Sequence, residues 1–309
     1  MSSTVFSASN QKAEILSAKV LGLTLANPVI VASGAFSDSL QQIRRAFDAG
    51  AGAVVTKTIY SGQKDKTVER VKKTPLGAFN STTYSQVAFD RWIAIITGMA
   101  EKQRPVIASI FAQTPELLQE LARRVVDAGS PALELGLSCP NDPTQQGADA
   151  RFISQYTAAV RKVVNVPFSV KLSAVGDVVN NVQAALNEGA DAISLSDALP
   201  SLLVDVEDRS LAFGGPVAYS GPAIKPIVLH SIYEIRQAGI KVPIMGIGGV
   251  SSVTDVLEYL QLGADVVQVY TVLMTRGVEF IKELVDGLYC WCNKREVSVG
   301  NVIGIAARK

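Results

Sequence analysis

Short apolar runs rich in β-branched residues recur along the chain at 28–35, 53–59, 105–111, 132–137, 167–173, 192–196, 243–248 and 266–272. Their apolarity is continuous rather than alternating, the habit of parallel strands covered on both faces. Amphipathic stretches lie between them. Residues 115–128 (PELLQELARRVVDA) put Leu117, Leu118, Leu121, Val125 and Val126 on one stripe, and 177–189, 223–239, 251–262 and 276–294 behave alike. The segment 251–262 opens on Ser-Ser-Val-Thr-Asp, a helix N-cap signal. Gly-Ala-Asp twice joins a helix end to the next apolar run, at 189–191 and 263–265. There the glycine ends the helix and the chain re-enters a sheet.

About eight strand–helix units predict an α/β fold, a single (β/α)8 TIM barrel over residues 1–309. An open doubly wound sheet is the weaker alternative, because no Gly-x-Gly-x-x-Gly turn follows the first run. Two stretches fall outside the repeat. Residues 15–25 predict an N-terminal hairpin, and 201–221 form a long insertion between strands six and seven, of the kind that covers a site.

Composition narrows the function classes. Lys+Arg is 29 against 28 Asp+Glu, a net charge of +1, which excludes a basic footprint for nucleic acid or acidic lipid. Hydrophobic residues at 48% against 18% charged exclude disorder as the main state. Mean hydropathy is high at +0.25, yet no apolar run reaches membrane-spanning length. Cys139, Cys290, Cys292 and a single histidine, His230, make neither a disulfide framework nor a zinc site, so no metal is expected. The odd cysteine count, with a polar stretch at 1–11 that has no signal core, predicts the cytoplasm.

In a barrel the chemistry sits at the C-terminal ends of the strands. Those ends read Ala32-Ser33-Gly34, Thr56-Lys57-Thr58, Ser138-Cys139-Pro140-Asn141, Lys171-Leu172, Ser196-Asp197, Gly248-Gly249 and Tyr270-Thr271. Lys57 and Lys171 stand inside apolar runs, where an ammonium is costly unless it meets an anion or an acceptor-rich ligand. Pairing with a barrel carboxylate such as Glu134 is the other reading. Gly248-Gly249 ahead of Val250-Ser251-Ser252 offers bare amides at a helix N-terminus. With Thr271 beside it this is the usual barrel phosphate site, against a turn that merely needs glycine. Cys139 is a candidate base or nucleophile, with inert packing as the alternative. His230 falls in a helical stretch away from the strand ends and is no partner for it. A phosphorylated cofactor below two lysines and a cysteine fits FMN, whose reduced, anionic ring lysines can stabilise.

These residues resemble those of the dihydroorotate dehydrogenase family, particularly its soluble branch with a cysteine base. The resemblance runs from Val20-Leu21-Gly22 and Asn27-Pro28 to Tyr270-Thr271. Its most specific motif is Leu137-Ser138-Cys139-Pro140-Asn141, followed by Ser220-Gly221-Pro222-Ala223-Ile224-Lys225-Pro226. The resemblance implies an FMN-dependent oxidoreductase that oxidises dihydroorotate to orotate in pyrimidine biosynthesis, with Cys139 taking the proton. It implies that Lys57 and Lys171 face the flavin beside Thr58, and that Ala32, Ser33, Gly34 and Gly221 lie against it. It assigns the phosphate to Gly248, Gly249 and Thr271, and the substrate to Asn80, Asn141 and Asp197. It further implies a homodimer, with an electron-transfer subunit as a possible partner.

The chain departs from the family pattern at four places. Gly136 and Asp197 stand where asparagines are usual, Ser81-Thr82-Thr83-Tyr84 follows Asn80, and Tyr270 replaces a glycine. Asp197 accepts hydrogen bonds where an amide could also donate, so weak orotate binding is expected. A flavoprotein acting on another cyclic amide or enoate, or one with little turnover, is the alternative reading.

Overall fold

The structure is a computed structural model that describes residues 11–63, 69–145 and 147–307. Most of the polar stretch at 1–11 lies outside the described residues. All eight apolar runs form strands: β1 Val29–Val31, β2 Ala53–Val55, β3 Val106–Ala112, β4 Leu133–Gly136, β5 Phe168–Leu172, β6 Ala192–Leu195, β7 Ile244–Ile247 and β8 Val266–Val269. Every neighbouring pair is parallel, and β8 pairs with β1 while β2 pairs with β3, so the sheet closes into a barrel. The strand residues are almost wholly buried, which is why their sequence shows no alternation. The predicted (β/α)8 barrel is the fold observed.

Helices α1 Leu40–Asp48, α2 Phe89–Ala100, α3 Pro115–Asp127, α4 Ala150–Arg161, α5 Val178–Asn187, α6 Lys225–Gln237, α7 Val253–Leu262 and α8 Phe280–Lys294 alternate with the strands. Short polar side chains start five of them. Ser39, Thr114, Asp149, Asp177 and Ser252 each accept a backbone N–H from the first turn of their helix, satisfying an otherwise orphaned donor. The expected hairpin is present as Ala18–Val20 paired antiparallel with Leu23–Leu25.

Two features position the site. The second apolar run is not one strand: Ala53–Val55 and Ile59–Ser61 both pair with β3, and Thr56-Lys57-Thr58 interrupts them. The insertion after β6 does not stand alone either. Its strands Leu199–Ser201 and Val217–Ser220 join Gly77–Asn80 and Val71–Thr74, from the segment after β2, in one four-stranded antiparallel sheet. This sheet lines one side of the cavity at the C-terminal mouth of the barrel. Its Val71–Thr74 half went unnoticed in the sequence, because the lysines of Val-Lys-Lys-Thr mask strand character on an exposed edge.

Candidate active site

The cavity at the mouth holds about 1350 Å³ of non-atom space, counting its open entrance. All of the site residues read from the sequence line it: Ala32, Ser33 and Gly34 after β1, Lys57 and Thr58 after β2, and Cys139 and Asn141 after β4. Lys171 on β5, Asp197 after β6, Gly248 and Gly249 after β7, and Thr271 after β8 complete the ring, while Asn80 and Gly221 come from the covering sheet. Strand ends converge here because the strands are parallel and all point the same way.

The two lysines have different surroundings. Lys171, 8% exposed, has its Nζ 3.9 Å from Glu134 Oε1 and 3.9 Å from Asp197 Oδ1. Burial alone would lower its ammonium, but the two carboxylates outweigh burial and hold it above the ordinary lysine value. Glu134 is fully buried, and its Oε2 accepts from Ser194 Oγ at 2.7 Å and Gln268 Nε2 at 2.9 Å. Ser194 also reaches Ser169 at 3.0 Å. A polar layer therefore crosses the barrel under the cavity, and Glu134 Oε1 and Gln268 Oε1 in it have no hydrogen-bond partner among the described residues. Lys171 thus pairs with barrel carboxylates and also lines the cavity. Lys57, 7% exposed, has no ion pair or side-chain hydrogen bond among the described residues.

Cys139 is half-buried at the start of the loop after β4. Burial pushes its thiol up to about 12, and the Asp197 carboxylate adds to the rise, while the backbone amides of Asn141 and Asp142 work against it. An ordinary cysteine would lie near 8.5, so the sulfur keeps its proton more firmly than the sequence alone implies. The loop is fixed from behind. Gln145 Oε1 accepts the Cys139 amide at 2.6 Å, Gln145 Nε2 donates to the Tyr84 hydroxyl at 2.9 Å, and that hydroxyl donates to Asp142. Tyr84 stacks on Tyr60 with ring centroids 4.2 Å apart. Sequence reading missed this clasp, whose members are distant along the chain and belong to no motif.

Asn141 is committed to the scaffold. Its amide donates to Thr82 O at 2.8 Å and Asn80 O at 3.1 Å, and its Oδ1 accepts the Ala218 amide at 2.9 Å. It ties the cysteine loop to both halves of the covering sheet. Gly34 is also held by the protein: a Cβ there would collide with the Tyr270 ring, and Tyr270 Oη accepts the Ala35 amide at 3.3 Å.

The turn after β7 is a cradle of backbone. Gly249 has φ +69°, and a Cβ on it would meet Gly221 O at 2.7 Å and Lys225 Cβ at 2.9 Å, so only glycine fits. Asp255 accepts the Ser251 amide at 2.8 Å and the Ser251 hydroxyl at 2.9 Å, and Lys225 Nζ bridges Asp255 and Glu258 at 2.5 Å each. The amides of Gly249 and Val250 donate to no described protein group. Across from them, the Ser220 and Thr271 hydroxyls are 2.9 Å apart. His230 is exposed on α6 beside Glu234, away from the cavity. No group of three or more potential metal ligands occurs among the described residues.

A closed parallel barrel with free amides after strand seven, hydroxyls after strand eight, and two buried lysines and a thiol around one cavity has the plan of a barrel enzyme. Sequence comparison gives the family. The model of the dihydroorotate dehydrogenase family matches residues 15–290, and the chain belongs to that family, whose members act on a CH–CH bond. It is 31% identical over 303 residues to the dihydroorotate dehydrogenase B (NAD+) catalytic subunit of Pyrococcus horikoshii, covering 95% of this chain and 98% of that one. It is 34% identical over 301 residues to the subunit of the same description from Pelobacter propionicus, covering 94% and 97%.

Proposed function

We propose that residues 1–309 act as one FMN-binding barrel that removes two hydrogens from adjacent ring carbons of a cyclic amide, with dihydroorotate as the reference for the reaction type. Lys57 carries the reading. It is an ammonium almost closed off from solvent, it lines the cavity, and it meets no anion among the described residues. Such a charge is tolerated when a ligand brings an anionic or electron-rich group to it. FMN fits the residues present. Its phosphate would take the Gly249 and Val250 amides with the Ser220 and Thr271 hydroxyls, on a turn whose backbone packs so closely that Cβ atoms at Gly248 or Gly249 would collide with Val228 or Gly221 O. Lys57, Lys171 and Thr58 would hold the ring, with Ala32, Ser33 and Gly221 as wall. Bound there, FMN supplies a two-electron acceptor.

Of the two hydrogens removed, one would leave as a proton, to be taken by Cys139 Sγ in the cavity wall. In the free site, burial and Asp197 keep that sulfur protonated. A substrate donor that engages Asp197 offsets part of the carboxylate's negative field and brings the thiol toward its working range. In reverse, the protonated thiol is the donor. Asn80, Asn141 and Asp197 frame the substrate side of the cavity, Asn141 by holding the cover in place.

The description of the relatives as catalytic subunits supports a partner subunit for electron transfer. Leu76, Leu202, Val204 and Val206, exposed on the cover, supply an apolar face for a homodimer. Three free thiols, with no helix long and apolar enough to cross a membrane among the described residues, fit the cytoplasm. The test is direct. The purified protein is expected to show flavin absorption that bleaches anaerobically on adding dihydroorotate or its decarboxylated analogue, 5,6-dihydrouracil. Colourless protein that takes up no FMN, or bleaching by neither compound, refutes the reading.

A further inference from the structure

The charges around the cavity restrict what can bind beside the cofactor. Its lining contains two cations, Lys57 and Lys171, and neither arginine nor histidine among the described residues. Lys171 is already shared by two carboxylates, Asp197 and Glu134, each 3.9 Å away. Lys57 is the cation left uncommitted, and in the reading above the electron-rich cofactor claims it. Asp197 is partly open to the cavity, with its side chain 21% exposed. Its Oδ1 accepts the Ala198 amide at 2.8 Å, and Oδ2 has no hydrogen-bond partner among the described residues. A carboxylate can only accept, so this oxygen calls for an N–H or O–H donor on the ligand. The wall beside it is bare at Gly136, where an added Cβ would meet nothing nearer than Thr58 at 3.8 Å.

We propose that the substrate of this site is an uncharged cyclic amide that donates an N–H to Asp197, rather than a ring carrying a carboxylate. The inference rests on the flavin-oxidoreductase reading and names its substrate class. An incoming carboxylate would share the cavity with the Asp197 charge, with Lys171 already divided between two anions and Lys57 engaged by the cofactor, and like charges brought together in a partly desolvated site repel strongly. A ring N–H gains a charge-assisted hydrogen bond at the same place. Uncharged ring amides also leave Lys57 to the cofactor.

Uracil and orotate form a matched pair that differs by the carboxylate alone. They would be titrated into the purified flavin-containing protein and followed by calorimetry and by the flavin spectrum. Uracil is expected to bind at least about tenfold more tightly than orotate. Asp197→Asn is expected to narrow or invert that ratio by at least about tenfold, by admitting orotate. The parent protein decides the matter even if the variant fails to fold. Orotate binding as tightly as uracil, or neither binding at millimolar concentration, overturns the inference. Protein without flavin refutes the wider reading instead, and the calorimetric preference between the two rings can still be measured on it.

Discussion

Replacing Lys57 with methionine separates a ligand-facing lysine from a structural one. The ammonium is 7% exposed and has no ion pair among the described residues, so in the ligand-free protein its desolvation is poorly offset. Methionine keeps the length of the side chain and removes the charge. The ligand-free variant should therefore be no less stable than the parent. Its response to FMN should move the other way. Losing a hydrogen bond to a charged group costs about 1.5–3 kcal/mol, roughly ten- to a hundredfold in affinity. With FMN at about a thousand times the parent's Kd, binding stabilises the parent by about 4.1 kcal/mol. At the same concentration a hundredfold weaker variant gains only about 1.4 kcal/mol. Thermal or urea unfolding with and without added FMN measures both quantities. A variant less stable than the parent without FMN, and equally stabilised by it, would show that Lys57 is a packing residue and that the reasoning is wrong.

Other outcomes follow from the same geometry. Cys139→Ser should slow anaerobic bleaching by about two orders of magnitude or more with flavin content unchanged. Because the thiol is pushed up to about 12, alkylation of Cys139 by iodoacetamide should keep rising between pH 8 and 10, and Asp197→Asn should speed it at any given pH; a plateau near pH 8.5 would contradict the shift. At Asp255, burial would raise the carboxyl, but Lys225, Ser251 and Ser252 hold it below its ordinary value. Its contribution is therefore present above the unfolded value of about 3.9 and lost as pH falls through the lower folded value. Asp255→Asn should cost about 1–3 kcal/mol at pH 7, with the deficit shrinking below about pH 4, as chemical denaturation across that range would show. Tyr84→Phe strands Asp142 and Gln145 and should cost about 1–3 kcal/mol. An unchanged urea midpoint would mean that the clasp behind Cys139 is not needed.

Strands and strand ends were legible because burial on both faces leaves an uninterrupted apolar run, and a charge or glycine closing such a run stands out. Lys57, Lys171 and Gly248-Gly249 were found that way. The polar layer was not. Glu134, Ser169, Ser194 and Gln268 each look like a lone polar interruption in an apolar strand, and only barrel closure brings them into hydrogen-bond contact. The clasp of Tyr84, Asp142 and Gln145 was hidden for a similar reason, since it joins a loop after β4 to one after the covering strand Gly77–Asn80. The thiol's departure from its ordinary value was equally hidden, since it depends on burial and on Asp197 across the cavity. Asp197 and Gly136 were visible as departures, but that Lys171 is shared between two carboxylates required their positions.

The antiparallel cover ties the chain's variability together. Asn80 sits opposite Ala218 on one neighbour and Val71 on the other, and its side of the strand faces the cavity. A one-residue slip against either neighbour would turn Asn80 outward and present Phe79 in its place. An insertion or deletion inside one covering strand therefore cannot be absorbed locally; it needs a compensating change in a segment from the opposite half of the sequence. Loops transplanted from a relative to alter specificity would have to travel as a matched pair, whereas the tip at 204–211, outside that pairing, can change length without shifting the register of the cover.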